Sequence, residues 1–511
     1  MLGIFGGTQS GHPLADLKEA KRIAAALPAG EAFASLEEIT HWFESIKGEA
    51  GFKPEYRAQL LQLFDEAGQA HARKLSREYL AAARQGKREE DRLWKAIQSF
   101  WGEAALGYVT CLDAFATGAK GGDALKGSLP LLGARALRAL GQQLKWLQVR
   151  YGPIDERLWT MMARTYALLE SRKLAKTKVV PYPGLGSEST PELEFLRAVM
   201  FSACSPDSLL PPEIEIAERV IGQLSPGFLF TTQHQPETPY WIDLAQTAGP
   251  ARVARPPQPS PTIRFFGAGR AFGEIDAMVQ SIRTTHDVPA TFTLGGACSP
   301  DTAIGVLEHL EMHWSPKLPE RRHPRHRVKS RLTIAWGFEG IQEVLAPGKS
   351  NSLSFDGSAY ESWTVENVSV GGFGALVPQV RGDWLRIGCL IAMQPEGGDN
   401  WLIGVIRRLS RPSHTQAAVG IQTLARSAVP VQLHVQMGNT TTLGTETGIL
   451  LDPHQLGGEV QVLLPPGVHA PGQSFMFEYN GLRTMLLPIG VAERRHDYEL
   501  LRCRHLVRDA A

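Results

Sequence analysis

The spacing of the apolar residues changes near residue 328, and this change constrains the fold more than any other feature of the chain. Up to about residue 175, apolar residues recur at helical spacing, as they do from Arg57 to Leu80. After residue 328, short β-branched and aromatic runs alternate with glycine-rich turns as far as the C-terminus. The pattern predicts a multidomain α + β protein whose C-terminal part is an antiparallel barrel or sandwich.

Residues 1–178 are interpreted as a helical bundle or a repeat-like helical region, although no fixed period supports a repeat. Breaks such as Gly152-Pro153 separate the helical patterns. Ser35, followed by Glu38, predicts a capping box ahead of Ile39. The many aromatic residues of this region lie at amphipathic spacing, so we interpret them as core residues rather than as a binding groove.

Residues 187–317 are predicted to form a small α+β domain behind a linker rich in proline and glycine. Thr190 followed by Pro191 is typical of a helix start. A second helix is predicted from Asp301 to Trp314. The predicted strands are Phe228–Thr232, Tyr240–Asp243, Ile263–Phe266 and Thr291–Leu294.

Residues 318–430 are predicted to form a β-barrel, and residues 431–511 a β-rich extension. The extension could form a second, divergent barrel or a sheet that completes the first one, and no ligand is assigned to it. The predicted strands are Leu332–Trp336, Trp363–Val370, Phe373–Val377, Leu402–Ile406, Ala418–Thr423, Glu459–Leu464, Ser474–Tyr479 and Leu482–Leu487.

The composition of the chain limits the kinds of molecule that it is expected to bind and the compartment in which it is expected to occur. With 53 basic and 52 acidic residues the net charge is +1, so global charge predicts neither a nucleic-acid nor a membrane partner. The five cysteines are scattered and form no CxxC pair, which argues against a disulfide framework and a thiolate zinc site.

Leu2 stands where myristoylation requires glycine, the first residues do not resemble a signal peptide, and no apolar run is long enough to span a membrane. We therefore predict a cytoplasmic protein.

A basic segment lies at the junction of the helical and β parts. From Arg321 to Arg331 it contains six arginine and lysine residues and no acid. Arginine predominates, and a guanidinium offers a planar fork to phosphate or to the O6/N7 edge of guanine. Taken alone, the segment could equally be a solvated linker.

A second motif, Asn367-Val368-Ser369-Val370-Gly371-Gly372, ends a predicted strand. A short amide and a hydroxyl two residues apart point to the same side of a strand. The two glycines allow the backbone to turn and a ligand to approach it closely. Taken alone, the motif could be a polar strand end followed by a turn.

Together, the two motifs resemble the RxxxR and (D/N)xSxxG signature of the PilZ domain family, as Arg321-x-x-x-Arg325 and Asn367-x-Ser369-x-x-Gly372. Members of this family are receptors for cyclic di-GMP. The later runs Gly404–Arg408 and Ala418–Gln422 resemble strands of that family, although Thr423 replaces the usual aromatic residue. The resemblance covers about residues 318–430. The 42 residues from Arg325 to Asn367 (367 − 325) leave room for two strands and a long hairpin around residues 348–357.

The resemblance implies a six-stranded antiparallel barrel that binds cyclic di-GMP on its outer face. In this chain, Arg321 and Arg325, with Arg322 as a helper, would contact phosphates and guanines. Asn367 and Ser369 would hydrogen-bond a guanine. Gly371 and Gly372 would permit its close approach. Arg327-x-x-x-Arg331 also satisfies RxxxR, but Arg331 would then lie inside the first strand, so Arg321 and Arg325 are preferred.

The predicted protein is therefore a bacterial cyclic di-GMP receptor rather than an enzyme, with no cofactor or metal other than its ligand. Ligand binding would order the arginine segment and change the contact between the barrel and the preceding domains. The helical region would contact an unidentified protein partner. The family is linked to motility, pilus function and biofilm formation, and the sequence does not choose among these processes.

Three alternatives remain open. A degenerate PilZ-like barrel could act as a scaffold without a ligand, residues 190–317 could hold an enzyme, or the basic segment could bind nucleic acid. Two further signals are set aside. Gly267–Gly273 has neither dinucleotide-binding spacing nor a phosphate-loop lysine, and His309 with His313 lacks a third metal ligand.

Overall fold

A computed structural model describes residues 11–81, 87–184, 188–317, 324–346, 360–437, 441–453, 458–479 and 481–507. The chain divides into two compact units, Met1–Pro319 and Glu320–Ala511. The multidomain α + β class predicted from the sequence is confirmed, because helices dominate the first unit and antiparallel barrels the second.

Ten α-helices are described in the first unit, and α5 lies at the centre of their packing. Helix α5 packs on α4, α6 and α7. Most of its residues are buried, including Arg135 and Lys145. The helices are α1 Leu17–Ala26, α2 Ala32–Gly48, α3 Pro54–Ala81, α4 Lys87–Ala116, α5 Leu129–Gln148, α6 Glu156–Ser171, α7 Pro191–Ala203, α8 Pro211–Leu224, α9 Ala271–Thr285 and α10 Pro300–Trp314.

The capping box predicted at Ser35 is wrong. Helix α2 begins one turn earlier, at Ala32, with Glu31 at the N-cap. Ser35 is buried inside the helix, and its hydroxyl donates a hydrogen bond of 3.0 Å to the carbonyl of Pro28. The hydroxyl thus ties the preceding turn to the helix.

A small antiparallel sheet in the order β1-β4-β2-β3 follows α8, with strands β1 Leu229–Thr231, β2 Tyr240–Asp243, β3 Ala251–Arg252 and β4 Ile263–Gly267. Every residue of β4 is buried. The strand predicted over Thr291–Leu294 is wrong: a short 3₁₀ turn covers Ala290–Phe292. The hydroxyl of Thr293 accepts the N–H of Gly295 and donates to the carbonyl of Gly296, so local turn bonds replace a strand ladder.

Ion pairs join the helical region to the segment that follows it. Arg138 of α5 binds Glu194 of α7 through two hydrogen bonds of 2.5 and 2.9 Å. Burial opposes the ionisation of Glu194, but Arg138 and Arg197 outweigh it and lower the pKa of this carboxyl to about 2. Lys145 binds Glu215 of α8 at 2.9 Å. These contacts explain why both segments belong to one compact unit. The predicted boundary between residues 178 and 187 stays a prediction.

The second unit begins with a closed barrel in the order β10-β7-β6-β5-β8-β9. Each neighbouring pair is antiparallel. The six-stranded antiparallel barrel is therefore confirmed. Its elements are β5 His326–Trp336, α11 Phe338–Leu345, β6 Glu361–Ser369, β7 Gly372–Val377, β8 Leu390–Pro395, β9 Leu402–Ser410 and β10 Ala417–Ala425.

Helix α11 and strand β8 were not predicted. Helix α11 occupies part of the stretch in which the sequence suggested only strands and a hairpin. The predicted hairpin around residues 348–357 lies outside the described residues.

A second closed barrel follows in the order β11-β12-β13-β16-β15-β14. Of the two alternatives for residues 431–511, a second barrel is thus the correct one. Its first strand starts slightly earlier, at Ala428. The strands are β11 Ala428–Met437, β12 Thr441–Leu451, β13 Glu459–Leu464, β14 Gln473–Tyr479, β15 Leu482–Arg494 and β16 Glu499–Val507.

The two barrels share an apolar core. Ile341 of α11 and Leu390 of β8 pack in one cluster with Ile449 and Tyr498 of the second barrel. An ion pair supplements this contact: Arg407 of β9 donates to both carboxylate oxygens of Glu493 on β15, at 2.5 and 2.6 Å. Burial acts against the charge on Glu493, but Arg407 and Arg495 lower the pKa of its carboxyl to about 2.

No helix within the described ranges is long and apolar enough to cross a membrane.

Candidate ligand-binding site

The pairing of β5 with β6 brings residues 324–331, the described part of the basic segment, close to Asn367. In this antiparallel register Arg327 lies opposite Asn367, and Arg331 lies opposite Thr364. Side chains directly opposite one another have Cβ atoms about 4.5–5.5 Å apart. Residues that are 40 positions apart along the chain (367 − 327) thus become neighbours on one surface of the barrel.

A cleft of about 1040 Å³ lies at this surface. The barrel core is formed from the opposite side of the same strands, where Leu332 and Trp363 are fully buried. The cleft therefore lies on the outer, solvent-facing side of β5 and β6. Its charged and polar lining consists of Arg325, Arg327, Lys329, Ser330, Arg331, Thr364, Glu366, Asn367 and Glu396.

A β-bulge widens the ladder inside this cleft. The register advances by three residues on β5, from Arg327 to Ser330, but by only two on β6, from Asn367 to Val365. Val328 and Lys329 therefore face the single residue Glu366. A bulge bends its strand and redirects the side chains next to it. It places exposed cations along the rim of the cleft.

The cleft carries an excess of positive charge. Four cations line it, Arg325, Arg327, Lys329 and Arg331, against two acids, Glu366 and Glu396. The local balance is +2 (4 − 2). Arg325, Arg327 and Lys329 are exposed and make no ion pair with any acid in the part of the chain that the structure describes. Such an excess of positive charge favours an anionic ligand.

Asn367 is held at the edge of the cleft by a glycine on the next strand. Asn367 pairs with Gly374 of β7. A Cβ at residue 374 would lie only 2.5 Å from the side-chain nitrogen of Asn367. The half-buried amide of Asn367 thus lies across β7, and it has no hydrogen-bond partner among the residues described. It is available to a ligand.

Ser369, Gly371 and Gly372 form the turn from β6 to β7. The Ser369 hydroxyl donates to the carbonyl of Gly372 at 3.3 Å. The carbonyl of Gly371 accepts the N–H of Thr423 at 3.0 Å. A Cβ at Gly372 would lie 1.9 Å from the carbonyl oxygen of Ile421 on β10. Glycine at position 372 is therefore required for strand packing, a cause that the motif alone did not reveal.

The first two arginines of the predicted site, Arg321 and Arg322, lie outside the described residues. Arg325 directly precedes β5 and lines the cleft together with Asn367. Arg331 lies inside the first strand of the barrel, as expected. The roles of the predicted residues in ligand contact stay predictions.

Sequence reasoning assigned no role to several lining residues: Arg327 and Arg331 were set aside, Lys329 was counted only as part of the basic segment, and Thr364, Glu366 and Glu396 were not considered. One signal could have found three of them. Arg327, Lys329 and Arg331 occupy every second position, which is typical of a strand with one cationic face. Glu396 could not be found in this way, because it reaches the cleft only through the pairing of β5 with β8.

The two signals set aside earlier have ordinary structural explanations. Burial lowers the pKa of His309, whose ring nitrogen lies 2.6 Å from the carbonyl oxygen of Cys204. No group of three or more metal-binding side chains occurs in the described ranges. At Gly267 a Cβ would lie 2.2 Å from the carbonyl oxygen of Glu237, so this glycine serves close packing.

The fold and the cleft define a multidomain protein with an antiparallel barrel suited to bind a small anionic ligand. Residues 18–235 match the family model described as the N-terminal domain of the cyclic-di-GMP receptor FimW. This segment runs from α1 to just beyond β1 and includes no residue of the barrels. The match indicates a cyclic di-GMP receptor, which agrees with the ligand that the sequence resemblance implied from a different part of the chain. No curated protein matches the chain.

Proposed function

We propose that this protein is a receptor that binds cyclic di-GMP in the cleft of a PilZ-like barrel formed by β5–β10. The observation that carries the proposal is that Arg325 and Asn367 line one cation-rich cleft beside the paired strands β5 and β6. The family match of residues 18–235 supports the same ligand independently.

Each signature residue has a defined role in this proposal. Arg325, with Arg321 and Arg322, contacts the phosphates and guanines of the ligand, since a guanidinium suits both groups. Asn367 and Ser369 hydrogen-bond a guanine. Gly371 and Gly372 leave room for that base, in addition to the packing role of Gly372.

The cleft is a binding site rather than a catalytic one in this proposal. Its described lining offers four cations, one amide, two hydroxyls and the two carboxylates of Glu366 and Glu396, and it contains no cysteine or histidine. The family description names a receptor, which favours binding over catalysis. All five cysteines are free thiols, which supports a reducing, cytoplasmic location.

Calorimetric titration of cyclic di-GMP tests the proposal. The wild-type protein is expected to bind at micromolar concentration or tighter, and Arg325→Ala to weaken binding by about tenfold or more, because a charge-assisted hydrogen bond contributes about 1.5–3 kcal/mol. Arg381→Ala is the matched control, since Arg381 is exposed in the same barrel but does not line the cleft.

Failure of the wild type to bind would instead favour a degenerate barrel that acts as a scaffold. Tight binding of DNA or RNA with steep salt dependence, together with indifference to cyclic di-GMP, would favour nucleic-acid binding through the basic segment.

We propose further that the unit Met1–Pro319 contacts a protein partner and that the output concerns motility, pili or biofilm. Affinity capture with the full chain as bait, performed with and without cyclic di-GMP, tests this proposal. A partner whose recovery changes with ligand supports it. Recovery of the same proteins by the unit Glu320–Ala511 alone contradicts it.

A further inference from the structure

The strand-borne arginines of the cleft are not explained by the family signature. Arg327 and Arg331 line the cleft from within β5, whereas Arg325 precedes the strand. Both are exposed, and neither has an ion pair with an acid among the described residues. Glu366 and Glu396 also line the cleft, but its four cations leave an excess of positive charge, so an anionic or acceptor-rich ligand would stabilise the arginines.

The register gives the two arginines different neighbours. Arg327 lies opposite Asn367, and Arg331 lies opposite Thr364. Arg327 and Asn367 can therefore reach the same ligand group from two strands. A guanidinium donates two hydrogen bonds to O6 and N7 of guanine, and an amide oxygen accepts from the N–H groups of the neighbouring edge.

The strand also holds these arginines on a backbone whose position is set before any ligand binds. The backbone of β5 is fixed at Arg327 and at Arg331 by pairing with β6. A side chain on a fixed backbone loses less conformational freedom on binding than one on a segment that must first be ordered. Discrimination between bases needs such a fixed donor, because specificity depends on the position of the fork.

This inference rests on the proposed function. We propose that Arg327, together with Asn367, selects guanine over adenine, and that Arg331 binds a phosphate. Neither residue belongs to the signature positions Arg321, Arg325, Asn367, Ser369 and Gly372. In this proposal the cleft contains two arginines besides those of the signature: Arg327, which recognises a base, and Arg331, which neutralises the charge of a phosphate.

The two roles predict different consequences of the same substitution. In Arg327→Gln, the donor fork for guanine is lost, and glutamine can instead pair with N6 and N7 of adenine. The ratio of affinities for cyclic di-GMP over cyclic di-AMP should fall by about tenfold or more. In Arg331→Gln, both affinities should fall together, and their dependence on salt concentration should become shallower.

The test is calorimetric titration of both cyclic dinucleotides into the full chain at two salt concentrations. Arg504→Gln is the matched control, because Arg504 is also an exposed arginine on a β-strand but lies in the second barrel. Melting temperatures within about 2 °C of the wild type verify folding, and Arg327→Lys provides a second variant that keeps the charge but loses the fork.

The outcomes separate the inference from the proposed function. If the wild type binds neither dinucleotide, the proposed function fails, and this inference fails with it. If the wild type binds and Arg325→Ala weakens binding, while Arg327→Gln retains the wild-type affinity ratio, only the inference is overturned. A reduced ratio in both Arg327→Gln and Arg327→Lys supports it.

Discussion

At the scale of single residues, the two glycines at positions 372 and 374 act in different ways. Gly372 lets β7 approach the backbone of β10, and Gly374 leaves space for the side chain of Asn367. The first contact is with a backbone carbonyl, which cannot move without disturbing the ladder. The second is with the end of a side chain, which can move but would lose its position.

Gly372→Ala is therefore expected to destabilise the barrel. The new Cβ would lie 1.9 Å from the carbonyl oxygen of Ile421, and forcing atoms into a packed site costs about 1–3 kcal/mol. Thermal unfolding should show a lower melting temperature. Gly444→Ala is the control, since no atom lies within 4 Å of a Cβ at that strand position. Equal melting temperatures for the two variants would refute this account of Gly372.

Gly374→Ala is expected to weaken cyclic di-GMP binding without a comparable loss of stability. The added methyl group displaces the Asn367 amide, whose nitrogen lies 2.5 Å from the position of the new Cβ. Loss of one or two hydrogen bonds corresponds to about a tenfold weaker affinity. Calorimetric titration of cyclic di-GMP into Gly374→Ala and, in parallel, into Asn367→Ala measures the two losses of affinity. The double variant should bind no more weakly than either single variant, because both act on one group. Additive losses would contradict the explanation.

The signature residues could be found from the sequence because their spacing is local. The motif Asn367-x-Ser369-x-x-Gly372 lies within one strand and one turn, so its members come together whatever the rest of the chain does. Arg327 and Gly374 could not be assigned in this way. Their importance depends on the cross-strand register with Asn367, which a bulge in β5 and another irregularity in β6 shift.

At the scale of elements, the contact between the two barrels combines an apolar core with the Arg407–Glu493 ion pair. Strand β9 was predicted from its resemblance to a family strand, but the partner of Arg407 was not. Glu493 lies 86 residues further along the chain, in a barrel whose closure depends on the pairing of β11 with β14. The short strands of residues 431–511 fit a closed barrel and an added sheet equally well, so the sequence left both open.

The ion pair predicts a stability difference that depends on pH. The folded pKa of Glu493 is about 2, below its ordinary value of 4.5, so its ionised form stabilises the folded state at neutral pH. A difference of this size corresponds to up to about 3 kcal/mol. The contribution is complete above about pH 5 and is lost as the pH falls towards 2, because the unfolded state takes up its proton first.

Glu493→Gln should therefore lower the free energy of unfolding at pH 7 and have progressively less effect between pH 5 and pH 3. Denaturant unfolding of wild type and variant at several pH values measures the difference. Glu459→Gln is a suitable control, because Glu459 pairs with Arg502 at an exposed position where ion pairs contribute little. A difference that stays constant over this pH range would show that the charge of Glu493 is not the cause.

At the scale of the whole molecule, the proposed binding site and the family match belong to different compact units. Every described lining residue of the cleft lies in Glu320–Ala511, and the matched residues 18–235 lie in Met1–Pro319. The second unit has its own apolar cores, one shared by the two barrels and one inside the second barrel. The cleft therefore does not depend on the first unit for any of its known walls.

Residues 320–511, produced alone, are accordingly expected to fold and to bind cyclic di-GMP with an affinity within about threefold of the full chain. This fragment keeps Arg321, Arg322 and Arg325 together with Asn367. Titration of the fragment, with its Arg325→Ala variant as the control for specific binding, measures the affinity, and cooperative thermal unfolding verifies folding. If the folded fragment binds at least tenfold more weakly than the full chain, the first unit stabilises the bound state. By thermodynamic linkage, ligand binding would then shift the conformational equilibrium of the first unit by the same coupling free energy. The first unit would therefore be expected to transmit the signal.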